Sequence, residues 1–490
     1  MSGLLIGDQT LSADPILSAA AQYRGTLTDL DSGHSISWED FARLRKRLLC
    51  DLKVFGLQCG DRVVLAVPNG SSFVAALITL LEAGACPLLL HFKTPSSEMV
   101  RYAQRFGCRY AIRAPDVGNS RTENLLSVRQ ICVDETNLQW CEFDNDGPGD
   151  TKLRGVPLHP TSGSTGLPKI ALRPGFCAIE EARHYVETMD ITAADSIVAF
   201  PPMSHAYGYG MSVMVPLLSG ATILTTQRFS VQKLQKAMQD YTVSVLPTVP
   251  SMLPALGRIR GVRWDRMRWV LAAGSVLPHN VAVDFQDSTG VTCCPLYGTT
   301  ETGGISVATI SDGSYVDGRV GPAMTGVETS VLPEPDLGPN IGRLAVRSSS
   351  MMTGYLDEQG SITRPFIDGW FSTGDLAVTD DPESLHLRGR DSEVINVHGM
   401  KVVPSEVEEV LIRMSCVREV KVYAGAGKHK TQSVLAAVAT EPGTDVRELE
   451  TYCQQHLVYY KQPQSICLVD ALPRSPAGKI ISAQLPGIDS

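Results

Sequence analysis

The run Thr161-Ser162-Gly163-Ser164-Thr165-Gly166-Leu167-Pro168-Lys169 is the most chemically suggestive stretch of this sequence. Its glycines free the backbone to turn several N–H groups towards one anion, its hydroxyls add donors, and its lysine adds positive charge. The phosphates of ATP are the natural ligand for such a loop. A Walker-type loop is the competing reading, and it needs Gly before the lysine and Ser or Thr after it. Those places hold Pro168 and Ile170, so that reading fails. On these residues alone, a flexible Ser/Gly linker is the bland alternative.

Further polar runs follow in order. Tyr297-Gly298-Thr299-Thr300-Glu301 offers an aromatic face suited to a purine, and a carboxylate that beside a triphosphate needs a cation. Ser372-Thr373-Gly374-Asp375, Gly389-Arg390-Asp391 and the stretch from Leu472 through Lys479 to Ile480 each read, one at a time, as a solvated turn. Taken together and in this order, these runs resemble the signatures of the acyl-adenylate-forming superfamily: acyl- and aryl-CoA ligases, luciferases and peptide-synthetase adenylation domains. The resemblance spans about Pro15 to Ile481.

The resemblance implies a division of labour. Thr161, Ser162, Gly163, Ser164, Gly166 and Lys169 would bind ATP, with Gly274 and Ser275 also at the nucleotide. Tyr297, beside Gly298 and Thr299, would stack on adenine, Thr300 would meet the α-phosphate, and Glu301 with Thr165 would hold Mg2+. Asp375 would accept both ribose hydroxyls, Arg390 would reach the same ribose, and Asp391 would be the hinge of a mobile lid. Lys479 would swing in with that lid to the reacting carboxylate and α-phosphate, completing a catalytic set of Lys479, Thr165, Glu301 and His205.

The same resemblance implies a second half-reaction, in which a thiol attacks the adenylate. Gly399, within Val397–Pro404, would let the pantetheine arm of coenzyme A pass. Asn396 stands where many relatives carry lysine, and asparagine brings a hydrogen bond but no charge. Coenzyme A and a separate carrier protein therefore both remain as acceptors. A reading from a different class, a nucleotide-binding protein without catalysis, is opposed by the retained Lys169, Glu301, Asp375, Arg390 and Lys479.

Phe200-Pro201-Pro202-Met203-Ser204-His205-Ala206-Tyr207-Gly208 resembles the lining of the acyl pocket, with His205 as its gate. Members that activate amino acids place a carboxylate just after that gate to hold the ammonium. Here Ala206 follows, and no acidic residue lies between Phe200 and Ser219, so an amino acid is disfavoured. Leu271–Pro278 and Gly303-Gly304 would form other walls, with room for an aryl or an alkyl acid.

The elements that must position these runs alternate. Asp31-Ser32-Gly33 predicts a hairpin turn, and Ser37 predicts an N-cap for a helix carrying Phe41, Leu44, Leu48 and Leu52. A buried-type strand over 62–67, a helix over 71–83 and a strand over 86–91 follow, and the alternation returns between 196 and 273. That rhythm predicts parallel-type sheets with covering helices, an α/β fold. After Asp391 the pattern changes to a compact α+β unit. The expected organisation is a large multi-subdomain N-terminal domain, 1–390, and a small mobile C-terminal lid, 391–490.

Composition sets the outer bounds. With 490 residues, 43% hydrophobic and 19% charged, the chain is long enough for two domains and reads as globular. A net charge of −9 without a long basic run favours neither nucleic acid nor an anionic membrane as a partner. The apolar stretch Phe73–Leu90 is broken by Glu82, Gly84 and Pro87, so no membrane span is expected. Twelve cysteines without a C-x-x-C pair, and no basic residue before Arg24 to suggest a secretory signal, point to a reducing, cytoplasmic compartment.

Overall fold

Every residue of Arg62–Ala66 is buried, as a strand covered on both faces must be. A computed structural model of the protein describes residues 11–115, 125–134, 136–145, 153–161, 169–309, 315–337, 340–379, 385–397, 400–426, 432–474 and 480–487. In it this strand lies inside a nine-stranded sheet. The order is Ile362–Thr363, Gly354–Leu356, Lys169–Leu172, Leu158–Thr161, Cys86–Leu89, Arg62–Ala66, Cys108–Arg113, Thr136–Phe143, Leu125–Val133. The strands at its centre are parallel and those on either side are antiparallel. The helix Ser71–Glu82 is buried from Ser71 through Leu81 and carries charge only at its last residue, Glu82.

An eight-stranded sheet runs Gly303–Val307, Cys293–Thr299, Trp269–Ala272, Val245–Thr248, Ser196–Ala199, Thr222–Thr225, Leu27–Asp29, Ser35–Ile36. It is parallel except at its two ends. The hairpin expected at Asp31–Gly33 forms there, with Leu27 opposite Ile36. The helix Trp38–Val54 begins where expected, Ser37 accepting from Asp40 N. The α/β reading therefore holds, with antiparallel strands added at the edges of both sheets.

A further sheet, antiparallel over its first four strands, runs Arg319–Gly321, Leu385–Arg390, Trp370–Thr379, Ile341–Ser348, Val327–Pro333. Beyond it, Val417–Ala426, Gln432–Thr440 and Ser465–Val469 form a three-stranded sheet. Two helices, Pro404–Leu411 and Val446–His456, pack on this last sheet through a core including Val407, Leu411, Val422, Val438 and Leu449. That core gives the C-terminal domain its own apolar interior.

By packing, the described residues fall into two compact units. One comprises 1–314 with 324–328 and 347–369, and the other 315–323 with 329–346 and 370–490. Asp391 lies within the second unit; a hinge there is a proposal about motion rather than about packing. Among the described residues, no helix is long and apolar enough to cross a membrane.

Candidate active site

In the first unit, the strands Leu158–Thr161 and Lys169–Leu172 pair antiparallel with Thr161 opposite Lys169. The expected phosphate loop is thus the connection of a β-hairpin. Its residues Ser162, Gly163, Ser164, Thr165 and Gly166 lie outside the described residues. Lys169 is exposed, and its Nζ sits 5.1 Å from the centroid of the Tyr355 ring. Tyr355 in turn donates its hydroxyl hydrogen to Glu301 Oε1 at 2.8 Å. One side chain thereby links the lysine and the carboxylate singled out from sequence.

Glu301 belongs to a turn held on all sides. Thr299 Oγ1 accepts from Thr302 N at 3.2 Å, Met352 N donates to Glu301 O at 2.7 Å, and Ser350 Oγ donates to Thr302 O at 2.7 Å. Tyr297, Gly298 and Thr299 end the strand Cys293–Thr299, and Thr300 follows in the turn. A Cβ on Gly298 would lie 2.4 Å from Gly303 O, so only glycine permits this approach of the adjoining strands. Gly274 and Ser275 follow the neighbouring strand Trp269–Ala272, Gly274 with φ +89°. These residues lie at or just beyond the carboxyl ends of neighbouring strands, where open α/β sheets bind ligands.

His205 follows a third strand, Ser196–Ala199, and is exposed at the start of the helix Ala206–Tyr209. That helix continues as a π-turn, Gly210–Met214, and then as Val215–Ser219. Tyr207 Oη donates to Leu271 O at 3.2 Å, joining this segment to the Leu271–Pro278 wall.

Two features absent from the sequence reading support this region. Asn69, buried after the strand Arg62–Ala66, donates Nδ2 to Ala199 O at 2.9 Å and to Pro201 O at 3.0 Å. Its Oδ1 accepts from Met203 N at 2.8 Å, so one amide fixes the loop that carries His205. A polar residue just beyond a fully buried strand was the available signal. Asn69→Ala leaves three buried backbone groups without this partner. It is expected to destabilise the protein by about 3 kcal/mol and to raise the KM for the acid more than that for ATP. Chemical unfolding and steady-state kinetics measure the two effects.

The second feature is an ion pair, Arg173 Nη1 to Glu181 Oε2 at 2.9 Å, whose side chains are 0% and 1% exposed. Burial by itself lowers the Arg173 pKa, but the Glu181 carboxylate outweighs this and the net shift is upward. Beside them His159 lies edge-on to Tyr209, ring centroids 4.9 Å apart. Burial first, then the neighbouring Arg173 and His205, hold His159 well below the usual histidine range, so it is neutral. Glu181 also backs the expected acyl wall. A Cβ on Gly210 would lie 2.7 Å from its Oε1, and one on Gly303 2.7 Å from its Cδ.

In the second unit, Asp375 lies opposite Arg390 across paired strands, and Arg390 Nε meets Asp375 Oδ1 at 2.7 Å. Asp375 is 6% exposed, whereas the Arg390 side chain is 53% exposed. Asp391 accepts from Arg343 Nε at 3.1 Å. Asn396 is exposed and faces Lys401 in the register of its hairpin. Gly399 lies outside the described residues, as does Lys479. Among the described residues that flank it in sequence, Arg474 pairs with Ile480 and Ile481 N donates to Pro473 O at 2.8 Å.

The family model of the AMP-binding enzymes matches residues 17–356, and that of the AMP-binding enzyme C-terminal domain matches 406–479. The chain belongs to the AMP-binding enzyme family. Among curated members of that family, a (methyl-dioxo-octahydro-indenyl)propanoyl:CoA ligase of Mycobacterium tuberculosis is 25% identical over 464 residues, covering 89% of this chain and 90% of its own. The 4-coumarate:CoA ligase 1 of Petunia hybrida is 23% identical over 491 residues, covering 93% and 89%. The fold is that of the O-succinylbenzoate coenzyme A synthetase from Bacillus subtilis solved with AMP, at a TM-score of 0.79 and 23% identity, covering 96% of this chain and 97% of that one. The large N-terminal and small C-terminal domains expected from sequence are those of this AMP-binding family.

The residues present fit a magnesium ion brought in by ATP. Mg2+ takes oxygen ligands, and is usually bound through one or two carboxylates together with phosphate oxygens and water. Glu301, whose Oε1 accepts from Tyr355, would supply such a carboxylate. Among the described residues, no group of three His, Cys, Asp or Glu side chains could hold a metal without such help.

Proposed function

We propose that this AMP-binding enzyme is an acid–thiol ligase that activates an aryl or alkyl carboxylic acid with ATP and passes the acyl group to coenzyme A. A carboxylate oxygen attacks the α-phosphorus in line, the bond to pyrophosphate breaks, and an acyl-adenylate remains. Thiol attack on the acyl carbon then expels AMP and leaves a thioester. The carboxylate is itself the nucleophile, so the protein's task is to bring two anions together and to neutralise the charge that develops. Mg2+, when bound, would supply part of that neutralisation.

The observation that carries this reading is the Lys169–Tyr355–Glu301 linkage at the base of a Ser/Gly-rich hairpin loop. In this reading Lys169 is the cation for phosphate and Glu301 the carboxylate for the metal, joined through one ring. The roles assigned above to Thr165, Tyr297, Thr300, Asp375, Arg390, Gly399 and Lys479, and the hinge at Asp391, form part of the same proposal. An amino acid substrate is disfavoured for a further physical reason. The Glu181 carboxylate behind Gly210 and Gly303 is buried and already paired with Arg173, so it offers no seat for an ammonium group. The enzyme works in the cytoplasm in this reading.

A pyrophosphate-release screen tests it, using ATP, Mg2+ and a panel of aryl and alkyl acids, each with and without coenzyme A. The expected result is release with at least one acid, and a coenzyme A thioester as product. Release with transfer only to a phosphopantetheinylated carrier protein would replace coenzyme A as the acceptor, as the uncharged Asn396 allows. ATP binding without turnover across the panel would favour a non-catalytic nucleotide-binding role.

A further inference from the structure

We propose that Tyr355 is a positioning residue of the nucleotide–metal site, which holds Lys169 and Glu301 near one another while preventing them from neutralising each other. The inference rests on the proposed function and adds a residue to it. Tyr355 lies in the strand Gly354–Leu356, which pairs antiparallel with Lys169–Leu172 and sets Tyr355 opposite Ala171. Lys169 is two residues from Ala171, so its side chain leaves the same face of the sheet and extends over the ring. The far end of that ring reaches Glu301 through its hydroxyl at 2.8 Å.

The ammonium thus sits over the aromatic face, and the carboxylate accepts from the phenol at the ring's edge. Among the described residues no ion pair joins Lys169 to Glu301. A direct pair would quench both groups, leaving the lysine a poorer phosphate ligand and the glutamate a poorer metal ligand. The phenol occupies Oε1 with one neutral hydrogen bond and leaves Oε2 for a cation. Met352 N on Glu301 O fixes the backbone of the same residue, so the carboxylate is aimed from two directions by one segment of chain. Such outer partners orient metal ligands, and removing one typically costs about 10–100-fold in metal affinity.

Two substitutions separate the two contacts. Tyr355→Phe keeps the ring beneath Lys169 and removes the hydrogen bond to Glu301; Tyr355→Leu removes both. ATP binding is measured by isothermal titration calorimetry over a series of Mg2+ concentrations, without acid substrate, so turnover does not enter. For Tyr355→Phe the half-saturating Mg2+ concentration is expected to rise about 10-fold, with wild-type ATP affinity recovered at saturating Mg2+. For Tyr355→Leu, ATP affinity should also fall roughly threefold at every Mg2+ concentration, the loss of one exposed cation–π contact.

The melting temperature of the ligand-free variants separates these effects from loss of fold. In a Glu301→Gln background the Tyr355→Phe effect should vanish, because the group it positions is gone. A Tyr355→Phe protein that binds ATP with the wild-type Mg2+ requirement overturns the inference and leaves the proposed function standing. A wild-type protein that binds no ATP at any Mg2+ concentration overturns both.

Discussion

Replacing Lys479 by alanine is expected to slow acid-dependent pyrophosphate exchange by about 10²–10³-fold, the usual effect of removing one preorganised charge-stabilising donor. The step joins a carboxylate to a phosphate, two anions that repel as they approach. A lysine ammonium between them lowers that repulsion most where the new bond is half formed. On either side of Lys479 in sequence, Arg474 pairs with Ile480, and Arg474 Nη2 meets Glu419 at 3.1 Å. The variant should therefore fold normally. A preformed acyl-adenylate supplied to it should still yield thioester with coenzyme A, because that step no longer joins two anions. Unchanged pyrophosphate exchange in Lys479→Ala would remove this residue from the mechanism.

The Glu181→Gln variant is expected to lose about 3–5 kcal/mol of stability, the cost of breaking a buried ion pair from one side. Glutamine matches the shape of glutamate, so packing changes little while Arg173 keeps a full charge with no counter-charge. Arg173 Nη2 retains a hydrogen bond to Ser350 O at 3.1 Å, but a neutral carbonyl does not replace the lost carboxylate. The double variant Arg173→Met, Glu181→Met should recover much of the loss, since removing both charges also removes their desolvation penalty. Urea unfolding of the three proteins gives these differences directly. If Glu181→Gln unfolds at the wild-type urea concentration, the pair contributes nothing to stability. Because Glu181 backs Gly210 and Gly303, the single variant should also alter selectivity among acids in the screen.

Local signals carried much of the fold into view. Turn residues at Asp31–Gly33, the Ser37 cap, and the buried strand at Arg62–Ala66 act within a few residues, so sequence periodicity and capping chemistry report them. The α+β character of the chain after Asp391 was legible for the same reason. The antiparallel strands between Arg319 and Leu385 were not, because their buried and exposed residues follow no regular period of two. The π-turn at Gly210–Met214 was equally invisible. A Cβ on Gly210, its first residue, would lie 2.7 Å from Glu181 Oε1, a neighbour from another element.

The candidate site divides along the same line. By itself the sequence determined the chemistry on offer: the Ser/Gly loop ending in Lys169, the Tyr297–Glu301 turn, the Asp375 and Arg390 pair, and the late Lys479. Taken singly most of these runs read as solvated turns, and it is their order along the chain, resembling one family's signatures, that gave them roles. Tertiary structure alone decided what holds them. Asn69 meets Met203 across 134 positions of chain, Tyr355 meets Glu301 across 54, and Arg173 with Glu181 lies behind Gly303. Apart from the place of Asn69 just beyond a fully buried strand, nothing in the local spacing of those residues marks them, because their partners arrive only when the strands are laid side by side. A reactive group can be recognised from its type, whereas its orientation depends on contacts that exist only once the sheets have closed.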